Sequence, residues 1–289
     1  MRTGEALASP CATLLLHPYF GFVRKRLEVP DRTILQSRGL TKAFGDFVAV
    51  SDVTYSLTEG EAAGIIGPNG AGKSTFFNLL TGMFRPSSGS IFFHDQEITS
   101  RSAEDRVGLG LVRTFQLVSV FDSLSVLDNL VLAVVRSGPD FSDKRGFLLG
   151  SAHSNRIRST CERVLEQVGL VHKSSVSTSE MSYGEKRMLE IGMALALKPK
   201  ILLLDEPLAG LSDVEIHDVL NLVSLLKNDF TLVIIEHKIS RIVNLVTRLS
   251  VMHEGRLIAE GLPETVLCDP TVRRVYWGEE ERTCPAPTD

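Results

Sequence analysis

The stretch AAGIIGPNGAGKST, running from Ala62 to Thr75, decides how the rest of the chain is read. It opens with Ala62 to Ile66, a continuous apolar run of the kind that lies buried on both faces of a parallel sheet. The residues that follow, Gly67, Pro68, Asn69, Gly70, Ala71, Gly72, Lys73, Ser74 and Thr75, fit the pattern G-x4-G-K-[ST]. Glycines without a Cβ let the backbone curl until successive N–H groups face one point, which makes a seat for phosphate oxygens. A helical pattern over 73–83 starts inside the motif, so its positive N-terminal end adds to the same field. In such a loop the Lys73 ammonium reaches the β- and γ-phosphates of a nucleotide and the Ser74 hydroxyl ligates Mg2+. The strand before and the helix after separate this arrangement from a chance glycine-rich turn.

Outward from the loop, two more apolar runs stand at Ile201–Leu204 and Leu232–Ile235, with helical patterns near 183–197, 213–228 and 238–246. The alternation predicts an α/β fold around a parallel sheet. The run at Ile201 ends in Asp205-Glu206. Carboxyl ends of parallel strands are where α/β proteins bind ligands. Alone, an Asp-Glu pair reads as a turn cap. Beside a phosphate loop, Asp205 holds Mg2+, directly or through water, and Glu206 orients and deprotonates the attacking water. Ser212 to Glu215 reads as a capping box ahead of the helix at 213–228. Residues 35–60 and 88–100 look like antiparallel strands with turns at Gly45-Asp46 and Ser87-Ser88-Gly89. Residues 117–180 are helix-rich, with a polar interruption at 137–158. These are two additions to the core, one β and one helical.

Composition narrows the classes of function. With 289 residues the chain holds one large domain and a substantial core. A net charge of -4 shows no basic excess for nucleic acid or acidic lipid. Cys11, Cys161, Cys268 and Cys284 stand at neither CxxC nor zinc spacing and read as scattered reduced thiols. No apolar stretch reaches the roughly 18 residues of a transmembrane helix. Residues 1–33 carry apolar runs, Cys11 to Leu16 and Tyr19 to Val23, broken by His17-Pro18 and followed by Arg24, Lys25 and Arg26. That charge order reverses a signal peptide, so 1–33 reads as a flexible or loosely attached extension, with a role at a membrane surface as the other reading. The tail, 280–289, reads as disordered.

The segment MSYGEKRMLEI, Met181 to Ile191, resembles the signature LSGGQ and its helix in the ATP-binding subunits of ABC transporters. It stands some 20 residues ahead of Asp205, where that family has it. The resemblance covers 34–279 and implies a phosphate-loop, RecA-like core with an antiparallel β subdomain and an ABC-type helical subdomain at about 117–197. Ser182 at a helix N-terminus, with Gly184 allowing close backbone approach, makes an anion site. In the family this site grips the γ-phosphate of ATP held by an opposite cassette. Gln116, in VRTFQ, matches the Q-loop glutamine that senses Mg2+ and the γ-phosphate. Ala209-Gly210-Leu211-Ser212 matches the D-loop at the dimer seam, and His237, in VIIEHK, matches the switch histidine. Phe44, in LTKAFG, matches the aromatic that stacks on adenine; its other reading is a buried strand aromatic.

The family implies an ATPase that uses ATP and Mg2+ and pairs with a second cassette, as homodimer or heterodimer. It also implies a peripheral subunit at the cytoplasmic face of the membrane that drives separate transmembrane permease subunits. No nucleic acid is involved, and a substrate-binding protein is met only indirectly. The groove for the permease would lie near 117–135, with Phe121 and Leu124 as contacts. Finer features resemble the cassettes of importers for branched-chain and other hydrophobic amino acids. These are the S-Y-G-E signature, the segment DEPLAGLSDVE, and an ending that closes on Tyr276-Trp277-Gly278. The interruption at 137–158 resembles the longer of the two cassettes in those systems. Cassettes of urea and short-chain amide importers share much of this, and EKRMLEIGM leans their way. A non-transport ABC ATPase is a third reading, but neither a second cassette nor a long coiled-coil insertion is present. Two residues depart from the pattern: Met181 stands for Leu, which conserves volume, and Lys186 stands where Gln is common.

Overall fold

The computed structural model describes residues 32–137 and 155–277. The readings of 1–31, of most of the 137–158 interruption and of the 280–289 tail fall outside these residues. A four-stranded antiparallel sheet is made by β1 (Thr33–Phe44), β2 (Phe47–Thr58), β4 (Ser88–Phe93) and β5 (Gln96–Glu97), in the order β2-β1-β4-β5. Gly45, at φ +59°, supplies the left-handed residue that turns β1 into β2.

The second sheet has six strands. These are β3 (Ala62–Ile66), β6 (Leu111–Arg113), β7 (Ile201–Asp205), β8 (Thr231–Glu236), β9 (Arg248–His253) and β10 (Arg256–Gly261). Their order is β10-β9-β3-β8-β7-β6, all parallel except β10. Every residue of β3, β7 and β8 is buried, as continuous apolar runs demand. Their side chains alternate between two cores. Ala63, Ile65, Leu203, Val233 and Ile235 face Phe76, Phe77 and the antiparallel sheet. Ile66, Leu202, Leu204, Leu232 and Ile234 face helices through Leu189, Ile191, Val219 and Val223. Each such side chain contributes about 1.5–3 kcal/mol by leaving water.

Helices fill both sides. In chain order they are α1 (Lys73–Leu80), α2 (Ala103–Leu109), α3 (Val126–Ser137), α4 (Asn155–Gln167) and α5 (Tyr183–Ala196). Then come α6 (Asp213–Leu226), α7 (Ile239–Ile242), α8 (Pro263–Cys268) and α9 (Pro270–Trp277). Val126, Leu130, Ile157, Cys161 and Val164 from α3 and α4 join the core that α5 lines. Both α5 and α6 start with full capping boxes, Ser182 with Glu185 and Ser212 with Glu215.

Three expectations change. The helix expected over 73–83 stops at Leu80: Thr81 N–H still bonds the Phe77 carbonyl at 2.9 Å, but Gly82 turns left-handed at φ +78° with its N–H on the Leu79 carbonyl at 3.2 Å. The helix expected over 238–246 contracts to Ile239–Ile242; Leu245 N–H returns to the Ile242 carbonyl at 2.9 Å and the chain turns into β9. Cys161 is free and buried, but Cys268 is disulfide-bonded, against the reading of four reduced thiols. Sequence spacing does not reveal which cysteines approach one another in space.

The topology gathers one edge. In the parallel sheet Ile66 lies beside Glu236, Ile235 beside Asp205, and Leu203 beside Arg113. The segments after β3, β6, β7 and β8 therefore leave the sheet at the same end.

Candidate functional site

At that end the loop 67–75 is folded tightly against its neighbours. A Cβ on Gly67 would fall 2.3 Å from the Met252 carbonyl oxygen, and one on Gly72 2.4 Å from that of Ala49. Gly70 and Gly72 take φ of +82° and +97°, open to glycine and costly to other residues. The Lys73 ammonium is buried and donates to the carbonyls of Gly67, at 2.7 Å, and Pro68, at 3.0 Å. Burial pulls its pKa down, while the facing carboxylates Glu206, Asp205 and Glu236 pull it up. Asn69, Gly70 and Ser74 are exposed, so the mouth of the loop is open.

Asp205 ends β7 at 2% exposure. Its Oδ2 is paired with the Arg113 guanidinium, which also donates to Asn78 Oδ1 at 2.6 Å. Its Oδ1 is buried with no hydrogen-bond partner among the described residues. Glu206 adopts φ +45°, a conformation that turns its side chain out of the strand, while its N–H is held by the Ile235 carbonyl at 3.0 Å. Gln116 donates from Nε2 to Glu206 Oε2 at 3.0 Å. Next door, Glu236 at the end of β8 accepts the Leu208 N–H at 3.1 Å and stands 3.9 Å from His237 Nδ1. Burial pushes the Glu236 carboxyl up to about 7, with the Leu208 N–H opposing and the Glu206 charge adding. Lys73, Asp205, Glu206 and Gln116 thus lie at one edge, with His237 directly after Glu236.

Ser182 and Gly184 are not joined to this group. The Ser182 hydroxyl and the Gly184 N–H both donate to Glu215 Oε1, at 3.0 and 2.9 Å. Glu215 Oε2 accepts from the Ser212 N–H and hydroxyl at 3.0 and 2.8 Å. These bonds, led by those from Ser212, hold the Glu215 carboxyl down at about 2. Phe44 is 46% exposed, which removes the buried-aromatic alternative; it meets Phe84 edge-on at 5.6 Å. Phe121 is exposed and Leu124 half-buried.

Several charged residues around the site were not singled out from sequence. Arg113, Arg187, Glu190 and Glu236 are ionisable but buried or nearly so, and Glu215 acts beyond its capping box. For the first four the sequence signal was their place inside the motif segments VRTFQ, MSYGEKRMLEI and VIIEHK; for Glu215 it was the capping box that ends DEPLAGLSDVE.

A tightly folded glycine loop that opens a helix and carries a buried lysine, faced by two carboxylates on a parallel sheet, defines a phosphate-loop nucleotide-binding protein. Comparison with known proteins narrows the class. The ABC transporter family model matches residues 50–209. The probable branched-chain amino acid transport ATP-binding protein LivG of Methanocaldococcus jannaschii is 34% identical over 251 residues, 85% of this chain and 98% of that protein. The high-affinity branched-chain amino acid transport ATP-binding protein LivG of Escherichia coli K12 is 34% identical over 258 residues, 86% of this chain and 99% of that one. A solved nucleotide-free ATP-binding cassette from an ABC transporter superposes with a TM-score of 0.75 at 34% identity, covering 86% of this chain and all of that one. The chain belongs to the ABC transporter family and is an ATP-binding cassette, an ATPase, of it.

Proposed function

We propose that the protein powers import of branched-chain or other hydrophobic amino acids, as one of two cassettes seated on separate permease subunits at the cytoplasmic face of the membrane. Support comes from the relatives, whose names carry that transport role and whose length this chain spans almost completely. The observation that carries the enzymatic part is the single edge on which Lys73, Asp205, Glu206, Gln116 and His237 converge.

In this reading the phosphates of ATP lie along the loop of Gly67, Pro68, Asn69, Gly70, Ala71, Gly72, Lys73, Ser74 and Thr75, whose backbone N–H groups other than proline's supply donors. Lys73 exchanges its two carbonyl partners for the β- and γ-phosphates. Phe44 offers its exposed ring to the adenine. Ser74, Gln116 and Asp205, whose Oδ1 has no hydrogen-bond partner among the described residues, would hold Mg2+, which would neutralise phosphate charge. Glu206 takes the proton of the attacking water, and His237 hydrogen-bonds the γ-phosphate. Ser182 and Gly184 of the opposite cassette close the far side. Phe121 and Leu124 face the permease.

Complementation tests this. In cells lacking the chain, the wild-type protein restores uptake of labelled leucine and Glu206→Gln does not, although it still binds ATP. Restored urea uptake with leucine uptake unaffected overturns the solute; full activity of Glu206→Gln overturns the base.

A further inference from the structure

The segment that carries Gln116 leaves the sheet after Thr114, whose N–H makes its bond to the Leu203 carbonyl at 2.9 Å. No helix or strand contains residues 115–125. What fixes Gln116 is a buried ion pair on α5. Arg187 is 0% exposed. Its Nη1 donates to the Phe115 carbonyl and to Glu190 Oε2, both at 2.7 Å, and its Nη2 donates to the Gln116 carbonyl at 2.7 Å. Glu190 returns the grip by accepting the Phe115 N–H on Oε1 at 3.1 Å. The peptide between Phe115 and Gln116 is therefore held on both sides by one salt bridge. Lys186, one residue earlier on α5, reaches the same segment through Asp122 at 2.6 Å.

We propose that Arg187 and Glu190 are positioning residues for ATP hydrolysis: they set the height of Gln116 over β7, so that its amide meets and orients the Glu206 carboxylate. The inference rests on the reading of Glu206 as the base. Taking a guanidinium and a carboxylate out of water is costly, and mutual pairing with bonds to the backbone offsets it; of the Arg187 donors, Nε stays buried without a hydrogen-bond partner among the described residues. Here the pair directs two bonds to the backbone of Phe115 and one to that of Gln116, the residue that, among the described ones, hydrogen-bonds Glu206 Oε2. Arginine suits the task because its planar fork bridges two carbonyls and a carboxylate together, which the point charge of lysine does not. When the grip is lost, the phosphate loop is untouched, so binding persists. The Glu206 carboxylate, freed from Gln116, spends less time aligned with the water. Misplacement of a reacting group by about 1 Å costs up to roughly hundredfold in rate.

The test measures kcat, KM for ATP and thermal stability for Glu190→Gln and Arg187→Lys, each also in a Gln116→Ala background. Glu190→Gln keeps the acceptor for Phe115 and loses the ion pair. Both variants should lose roughly tenfold or more in kcat with KM changed less than about twofold. A role of charge alone would spare Arg187→Lys. In the Gln116→Ala background the further loss should vanish, because the residue being positioned is gone. Losses that multiply in that background, or a KM effect without a kcat effect, overturn the positioning role. Unchanged turnover of Gln116→Ala by itself removes instead the assignment of Gln116, and the inference with it.

Discussion

Replacing Glu236 by glutamine changes how stability responds to pH, by an amount that the buried carboxyl sets. Glu236 is 1% exposed at the end of β8, and its carboxyl titrates at about 7 against an ordinary value of 4.5. Between those values the unfolded chain releases this proton while the folded protein keeps it. Stability of the wild type therefore falls as pH rises from 4.5 through about 7, and levels off above. At about 1.4 kcal/mol per pH unit, the gap is worth about 3 kcal/mol. Glutamine does not titrate. Whatever its amide costs beside Leu208 and His237 is the same at every pH and drops out of the comparison. The difference in unfolding free energy, Glu236→Gln minus wild type, should therefore grow by about 3 kcal/mol in favour of the variant from acid to pH above 7. Urea denaturation of the nucleotide-free protein at several pH values reads it directly. A difference that stays flat with pH refutes the argument, because no unusual proton would then be held at position 236. Glu206→Gln, by removing the charge that helps raise Glu236, should narrow the pH range of the effect.

Two glycine substitutions should part company. Gly67→Ala drives a methyl to 2.3 Å from a backbone oxygen of β9 that has nowhere to go, so unfolding midpoint and ATP binding should both fall sharply, as calorimetry and nucleotide titration will show. Gly184→Ala meets instead the movable end of Glu215 at 2.5 Å. It should cost about 1 kcal/mol, a few degrees in melting temperature, by dislodging that side chain, with ATP binding to the loop 67–75 unaffected.

The strands were legible where burial is total. A residue covered on both faces has no reason to be polar, so β3, β7 and β8 appear as uninterrupted apolar runs. By contrast, β9 hides its character behind Ser250, a buried hydroxyl that bonds Glu260 at 2.9 Å across to β10. β6, only Leu111–Arg113, is too short to show a period. The loop and the Asp205-Glu206 pair were legible because their chemistry is contiguous in sequence. The buried charges were not. Nothing local in its helix marks Arg187 as buried; its partners are the carbonyls of Phe115 and Gln116, 72 and 71 positions away. Glu215 was legible as the cap of its own helix, and its contact with Ser182 was not, since that depends on how α5 and α6 pack.

That contact has a consequence for any anion arriving at the start of α5. The Ser182 hydroxyl and Gly184 N–H are already saturated by a tethered carboxylate, one that stays charged down to about pH 2. A newcomer gains their hydrogen bonds only by evicting Glu215, whose other oxygen remains anchored to Ser212 and waits nearby to return. Weakly held anions such as chloride or a lone phosphate face a competitor of high local concentration; under the proposed function, a γ-phosphate carried on an opposing surface would have to displace Glu215, which would resume its place when that surface withdraws.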